Sequence, residues 1–122
     1  MPTILIIEDD DDVRAVLEAV LARAGYRVRS ARDGKEGVVA AAGEPVDLVI
    51  TDIIMPEKDG IETITDLRRE HPDLKVIAIS GGGRFSPGGY LHSARLLGAD
   101  LTLSKPFGND EILRAVERLL AP

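Results

Sequence analysis

A chain of 122 residues, 44% hydrophobic and 30% charged, has the size of one domain and is too apolar for an intrinsically disordered segment. Its 21 acidic and 15 basic residues leave a net charge of −6, which opposes binding to nucleic acid or an anionic membrane by bulk electrostatics. The absence of cysteine excludes disulfides, thiolate chemistry and cysteine zinc sites.

The start "MPTILIIEDD" lacks the basic segment and the length of apolar run that a signal peptide needs, and no stretch is long enough to span a bilayer, so a cytoplasmic protein is expected. Only 3% of residues are aromatic and none is tryptophan, so the core has to be built from Val, Ile, Leu and Ala. In chain order, the first strand is "TILII" at 3–7, which runs straight into five carboxylates, Glu8 to Asp12. A helix follows at 11–24, where Val13, Val16, Leu17, Val20, Leu21 and Ala24 recur at three- and four-residue steps and define one apolar face. Gly25 closes it, and a second strand is read at 27–31. Asp33 and Glu36 resemble a capping box for a helix at 33–42, with Gly43 placed as a left-handed terminator ahead of Pro45. The third strand, 47–51, leads into Asp52. A helix at 60–70 ends before Pro72, the fourth strand at 75–79 leads into Ser80, and a helix is read at 88–97 ahead of Gly98. The fifth strand at 101–104 leads into Lys105 and Pro106, and the last helix spans 109–120.

Five strands alternating with five helices predict one domain over 1–122 with an α/β architecture. Each right-handed crossover carries a helix over a parallel sheet, so both faces are covered. In such sheets ligands bind beyond the carboxyl ends of the strands, where the strand order reverses. In the flavodoxin-like, doubly wound order 2-1-3-4-5, the first and third strands are neighbours, and Glu8, Asp9 and Asp52 converge there. Two carboxylates roughly 4 Å apart repel by about 4 kcal/mol at an effective dielectric of about 20. A hard divalent cation relieves that cost, since magnesium takes a few carboxylates and keeps several waters. Ser80 and Lys105 offer a hydroxyl and an ammonium suited to phosphoryl oxygens, and Asp52 is placed as a nucleophile. Asp10, Asp11 and Asp12 are read instead as caps at the positive end of the first helix. The glycines of "SGGGRFSPGGY" lack the Gly-Lys-Ser/Thr ending of a phosphate-binding loop. His71 and His92 have no metal-ligand spacing.

The segments "ILIIEDD", "DLVITDIIMPEKDG", "VIAIS" and "LGAD" followed by "SKPF", in this order and spacing, resemble the receiver domain of two-component response regulators over essentially the whole chain. The resemblance implies a signalling module rather than an enzyme. Asp52 would accept a phosphoryl group from a sensor histidine kinase or histidine phosphotransfer protein. Glu8, Asp9, Asp52 and the backbone carbonyl of Ile54 would hold Mg2+ or Mn2+, Ser80 would be the switch hydroxyl, and Lys105 would sense the phosphate.

Thr102 stands where such receivers carry Tyr or Phe, so the glycine-rich segment with Phe85 or Tyr90 is read as the replacement switch. The apolar Ile54 cannot orient an attacking water, which predicts slow self-dephosphorylation. With no effector segment after the last helix, the expected form is a stand-alone receiver. Its output would pass to a protein target, a second histidine or a homodimer, not to nucleic acid or membrane. Two other readings remain at this point. One is a pseudo-receiver that only binds a partner. The other is a haloacid-dehalogenase-like phosphatase, opposed by Ile54 where that family carries a second Asp.

Overall fold

The computed structural model describes residues 1–53, 60–81 and 98–121. Five strands, β1 (Thr3–Ile7), β2 (Arg27–Ala31), β3 (Leu48–Asp52), β4 (Lys75–Gly81) and β5 (Leu101–Lys105), form one sheet in the order β2-β1-β3-β4-β5. Every pairing is parallel. Among the described residues four helices accompany them: α1 (Asp11–Arg23), α2 (Gly34–Gly43), α3 (Gly60–Glu70) and α4 (Asn109–Leu120). The doubly wound sheet is the expected one. The expected helix at 88–97, with Ile54, Phe85, Tyr90 and His92, lies outside the described residues.

The central strands β1, β3 and β4 read as largely apolar runs because both faces of the sheet are covered there. Successive side chains point to opposite faces, so Leu5, Ile7, Val49, Val76 and Ala78 pack with Ile64 and Leu67 of α3 and Ala41 of α2. Ile4, Ile6, Leu48, Ile50, Ile77 and Ile79 pack on the other face with Leu17 and Leu21 of α1 and Ile112 and Val116 of α4. Two members of the expected apolar face of α1 do not join this core. Val16 is 53% exposed and Ala24 is the exposed C-cap residue.

Several boundaries shift for local reasons. The backbone of Asp47 donates to the Thr3 carbonyl at 2.9 Å and its carboxylate accepts the Thr3 N–H at 2.7 Å, so Asp47 closes the mouth of the sheet and β3 starts one residue later. At the other edge the ladders run further than expected. Asp52 pairs with Ile79, Ser80 with Ser104, and Gly81 with Lys105, so the polar residues lie on the strands themselves. Gly25 and Gly98 take φ values of 99° and 120°, as expected of left-handed terminators. Gly43 does not. It is the last residue of α2, and Glu44 is extended, with φ −147° and ψ 150°. Pro45 disfavours the helical region for the residue before it, which accounts for the extended Glu44. The Asp33 carboxylate caps Glu36 N–H at 2.8 Å, while Glu36 reaches back to the N–H of Arg32 at 3.3 Å instead of completing the box with Asp33.

β2 forms one border of the sheet, with exposed Arg27 and half-buried Arg29. Arg29 donates to the Ala40 carbonyl at 3.1 Å and lies 3.8 Å from the Glu44 carboxylate. At the edge away from the acidic run, Asp100 accepts both the Val76 N–H at 2.8 Å and the Arg68 guanidinium at 2.7 Å, and Arg68 also donates to the Gly98 carbonyl at 3.1 Å. This fixes where β5 begins, and hence where Lys105 ends it.

Gly37 brings α2 onto β1, where a methyl group would overlap Ile7 Cδ1 and lie 2.7 Å from its Cγ1. Ile7 is fully buried and has little room to shift. Gly37→Ala should therefore lower stability in urea unfolding by about 1–3 kcal/mol. Ile7→Val, which removes the overlapping methyl, should recover part of that loss in the double variant; simple additivity of the two losses would contradict the close approach.

Candidate functional site

The polar groups meet at the carboxyl edge because three strands end there in step. Glu8 directly follows β1, and its N–H donates to the Ala31 carbonyl at 3.1 Å, continuing the pairing with β2. Asp52 is the last residue of β3, with Ile53 N–H donating to the Ile79 carbonyl at 3.0 Å. Thr51 is fully buried, and its hydroxyl donates to the Asp52 carbonyl at 3.0 Å. Glu8 is 0% and Asp52 5% exposed, whereas Asp9 is exposed. Each of the three offers a carboxylate oxygen within 4.8 Å of the others.

Lys105, at the end of β5, places its Nζ 2.5 Å from Glu8 Oε1 and 3.1 Å from Asp52 Oδ2. Glu8 Oε2 accepts the Asp10 N–H at 3.3 Å. Burial is the main reason the Glu8 carboxyl is pushed up to about 8. Its hydrogen bond to Asp52 and the charge of Asp52 add to the rise, and Lys105 pulls against it. Burial acts against the Lys105 ammonium, but its bond to Glu8 and the charges of Asp52 and Glu8 outweigh that and raise it.

Ser80 is 5% exposed and follows Ile79, the β4 partner of Asp52. It therefore occupies the same edge, one strand over. Thr102 is half-buried beside Ala78. Asp10 caps α1, accepting the N–H groups of Asp12 at 2.9 Å and Val13 at 3.1 Å, and Asp11 and Asp12 sit in the first turn. The acidic run thus divides into a cap and a pair that approaches Asp52. Ile54, expected to lend a backbone carbonyl, lies outside the described residues. Beside Lys105 opens a cavity of about 520 Å³, lined by Val13, Val16, Leu17, Pro106 and Phe107 among others.

Sequence reasoning missed three features. Lys105 was expected to face a phosphoryl group, and its direct pairing with Glu8 was not foreseen. The second is Arg14, whose Nη1 donates to the Glu8 carbonyl at 3.0 Å. A basic residue one turn into a helix that follows an acidic strand end was the available signal for it. Nothing in the sequence marks the Thr51 hydroxyl.

Three carboxylates and an ammonium at the switch point of a doubly wound sheet form an acidic group able to hold a metal ion. The chain matches the family model described as the response regulator receiver domain over residues 4–117, and it belongs to that family. Its class of role is therefore two-component phosphorelay signalling.

Among similar proteins, the response regulator receiver protein CpdR of Brucella abortus is 35% identical over 98% of this chain and 98% of its own length. The sensor kinase CckA of the same organism is 36% identical over 97% of this chain, which spans only 12% of that longer protein. The crystal structure of the receiver domain of NtrX from Brucella abortus superposes with a TM-score of 0.90 at 30% identity, covering 96% of this chain and 97% of that one.

The raised Glu8 value sets a direction with pH. Glu8 binds its proton more tightly in the folded chain, about 8 against an ordinary 4.5, so this group's stabilising contribution is full at low pH and is lost as pH rises through about 8. In a chelator, the melting temperature of the wild type should fall relative to that of Glu8→Gln between about pH 4.5 and 8, and magnesium should reduce the fall by favouring the carboxylate. Parallel melting curves across this range would contradict the assignment.

Proposed function

We propose that the chain is a receiver that takes up a phosphoryl group on Asp52 from a sensor histidine kinase or histidine phosphotransfer protein, in a magnesium-dependent reaction. The observation that carries this reading is the Lys105 ammonium bridging buried Glu8 and Asp52, with Asp9 completing the acid group. The donor set is all carboxylate, and burial with the neighbouring Asp52 pushes Glu8 upward, which suits hard Mg2+ or Mn2+. When bound, the cation supplies charge neutralisation for the oxygens of the transferring group. Glu8, Asp9 and Asp52 would hold it, with the Ile54 carbonyl as a further ligand.

In the transfer, a carboxylate oxygen of Asp52 attacks phosphorus while the bond from phosphorus to the donor's histidine nitrogen breaks, and that nitrogen keeps the electron pair. Lys105 then has a phosphoryl oxygen to pair with in place of the Asp52 carboxylate oxygen. The Ser80 hydroxyl, at the same edge, would donate to another oxygen and carry the change into β4. The product is a modified protein whose surface signals, so the chain acts as a module rather than a turnover catalyst. A protein target or a second copy would read that surface. Among the described residues no helix is long and apolar enough to cross a membrane.

Incubation with a small acyl phosphate and magnesium, read by intact mass, should add one phosphoryl group to the wild type and none to Asp52→Ala, with chelator abolishing the gain. A wild type that stays unmodified would point instead to a pseudo-receiver that only binds a partner. Once formed, the phosphoprotein should lose its group slowly, and Ile54→Asn should speed the loss by letting a polar side chain orient water; an unchanged decay rate would remove Ile54 from the account.

A further inference from the structure

We propose that Arg14 is a positioning residue for the acid pair: its guanidinium holds the peptide that joins Glu8 to Asp9, and so presents the Asp9 carboxylate to the cation. This rests on the magnesium-binding reading above. Asp9 is exposed, and among the described residues no side-chain hydrogen bond holds its carboxylate. Its backbone therefore fixes the point from which the carboxylate reaches toward the cation.

Both peptides that flank Asp9 are tied down. The Glu8 carbonyl, which shares a planar unit with the Asp9 N–H, accepts from Arg14 Nη1 at 3.0 Å. The next N–H, that of Asp10, donates to Glu8 Oε2 at 3.3 Å. Arg14 is itself fixed, with Nη2 on Asp11 Oδ1 at 2.5 Å and Nε 3.8 Å from Glu18 Oε1, and its side chain is only 16% exposed.

The pairs with Asp11 and Glu18 are ordinary helix-surface contacts at three- and four-residue spacing. The reach back to residue 8 is not, because it leaves the helix to grip a strand end. It needs the planar fork of arginine, since a lysine ammonium is a single point of contact that cannot serve all three acceptors in this geometry. Charge alone does not explain the arrangement, because the guanidinium lies between two carboxylates that offset it. Groups one step behind metal ligands commonly set affinity when they fix ligand orientation.

The test is magnesium titration of the full chain by calorimetry, with melting in chelator as the control for folding. Arg14→Gln and Arg14→Lys should both weaken magnesium binding by about tenfold or more, the scale expected for losing an outer-shell partner. Arg69→Gln makes the same charge change as Arg14→Gln at an exposed site on α3, and should bind as the wild type does. The Asp9 amide resonance should also move in Arg14→Lys before metal is added.

Unchanged affinity in folded Arg14→Lys would overturn the proposal, as would an equal loss in Arg69→Gln, which would make the effect one of bulk charge. If Arg14→Gln does not fold, Arg14→Lys, which can keep a helix pair, decides alone. A wild type that takes up no magnesium would overturn the metal reading and this inference together, whereas the other failures fall on Arg14 only.

Discussion

The carboxyl edge depends on one ammonium shared between two buried carboxylates. Glu8 and Asp52 sit at the ends of neighbouring strands with almost no contact with water, an arrangement that repulsion and desolvation oppose. Lys105 reconciles them from the far side of the sheet. Neighbouring strands lie about 4.8 Å apart, so β5 is roughly 10 Å from β3 and further still from β1. A lysine stem crosses β4 to reach Asp52, and the extra methylene of glutamate brings Glu8 into contact with the same nitrogen. The choice of Glu over Asp at position 8 thus has a structural meaning, since the longer side chain brings a neighbouring acid into direct hydrogen-bond contact with the ammonium.

The two hydrophobic layers make this tolerable. Isoleucines at 4, 6, 50, 77 and 79 on one face, and Leu5, Ile7, Val49 and Val76 on the other, lock the strand register. An error of one residue would invert every side chain and disperse the acids. Asp47 at one mouth of the sheet and the Arg68–Asp100 pair beside β5 fix the strand starts, so their ends coincide at the opposite edge. The crowding there rests on ties made a full strand length away.

Much of this was legible in the chain. The central strands β1, β3 and β4 announce themselves as short runs rich in Ile, Val and Leu, and the polar residues at the strand ends name the edge on which chemistry gathers. Asp33, Gly25 and Gly98 behave as their local chemistry dictates. Gly43 was misjudged because a glycine at a helix end has two routes out, and the following Glu44–Pro45 pair selects the extended one. The apolar period of α1 could not tell that Val16 would face outward, because periodicity gives the stripe and not its width. The Glu8–Lys105 contact and the Arg14 fork depend on side-chain reach across 97 and six residues respectively, which spacing does not encode. The phosphoryl donor, the Ile54 carbonyl and the switch role of Ser80 came from the family resemblance, not from composition.

The border strand β2 has a consequence for how copies of the molecule behave in a crowded solution. Its outward row of unpaired amides and carbonyls is a template on which another chain's strand can add, the first step toward lateral aggregation. The guanidinium groups of Arg27 and Arg29 stand on that strand, and Arg29 is anchored to α2 by the Ala40 carbonyl. A second β2 brought alongside would have to desolvate the exposed Arg27 and disturb the Arg29 contacts with Ala40 and Glu44, so the border discourages edge-to-edge growth.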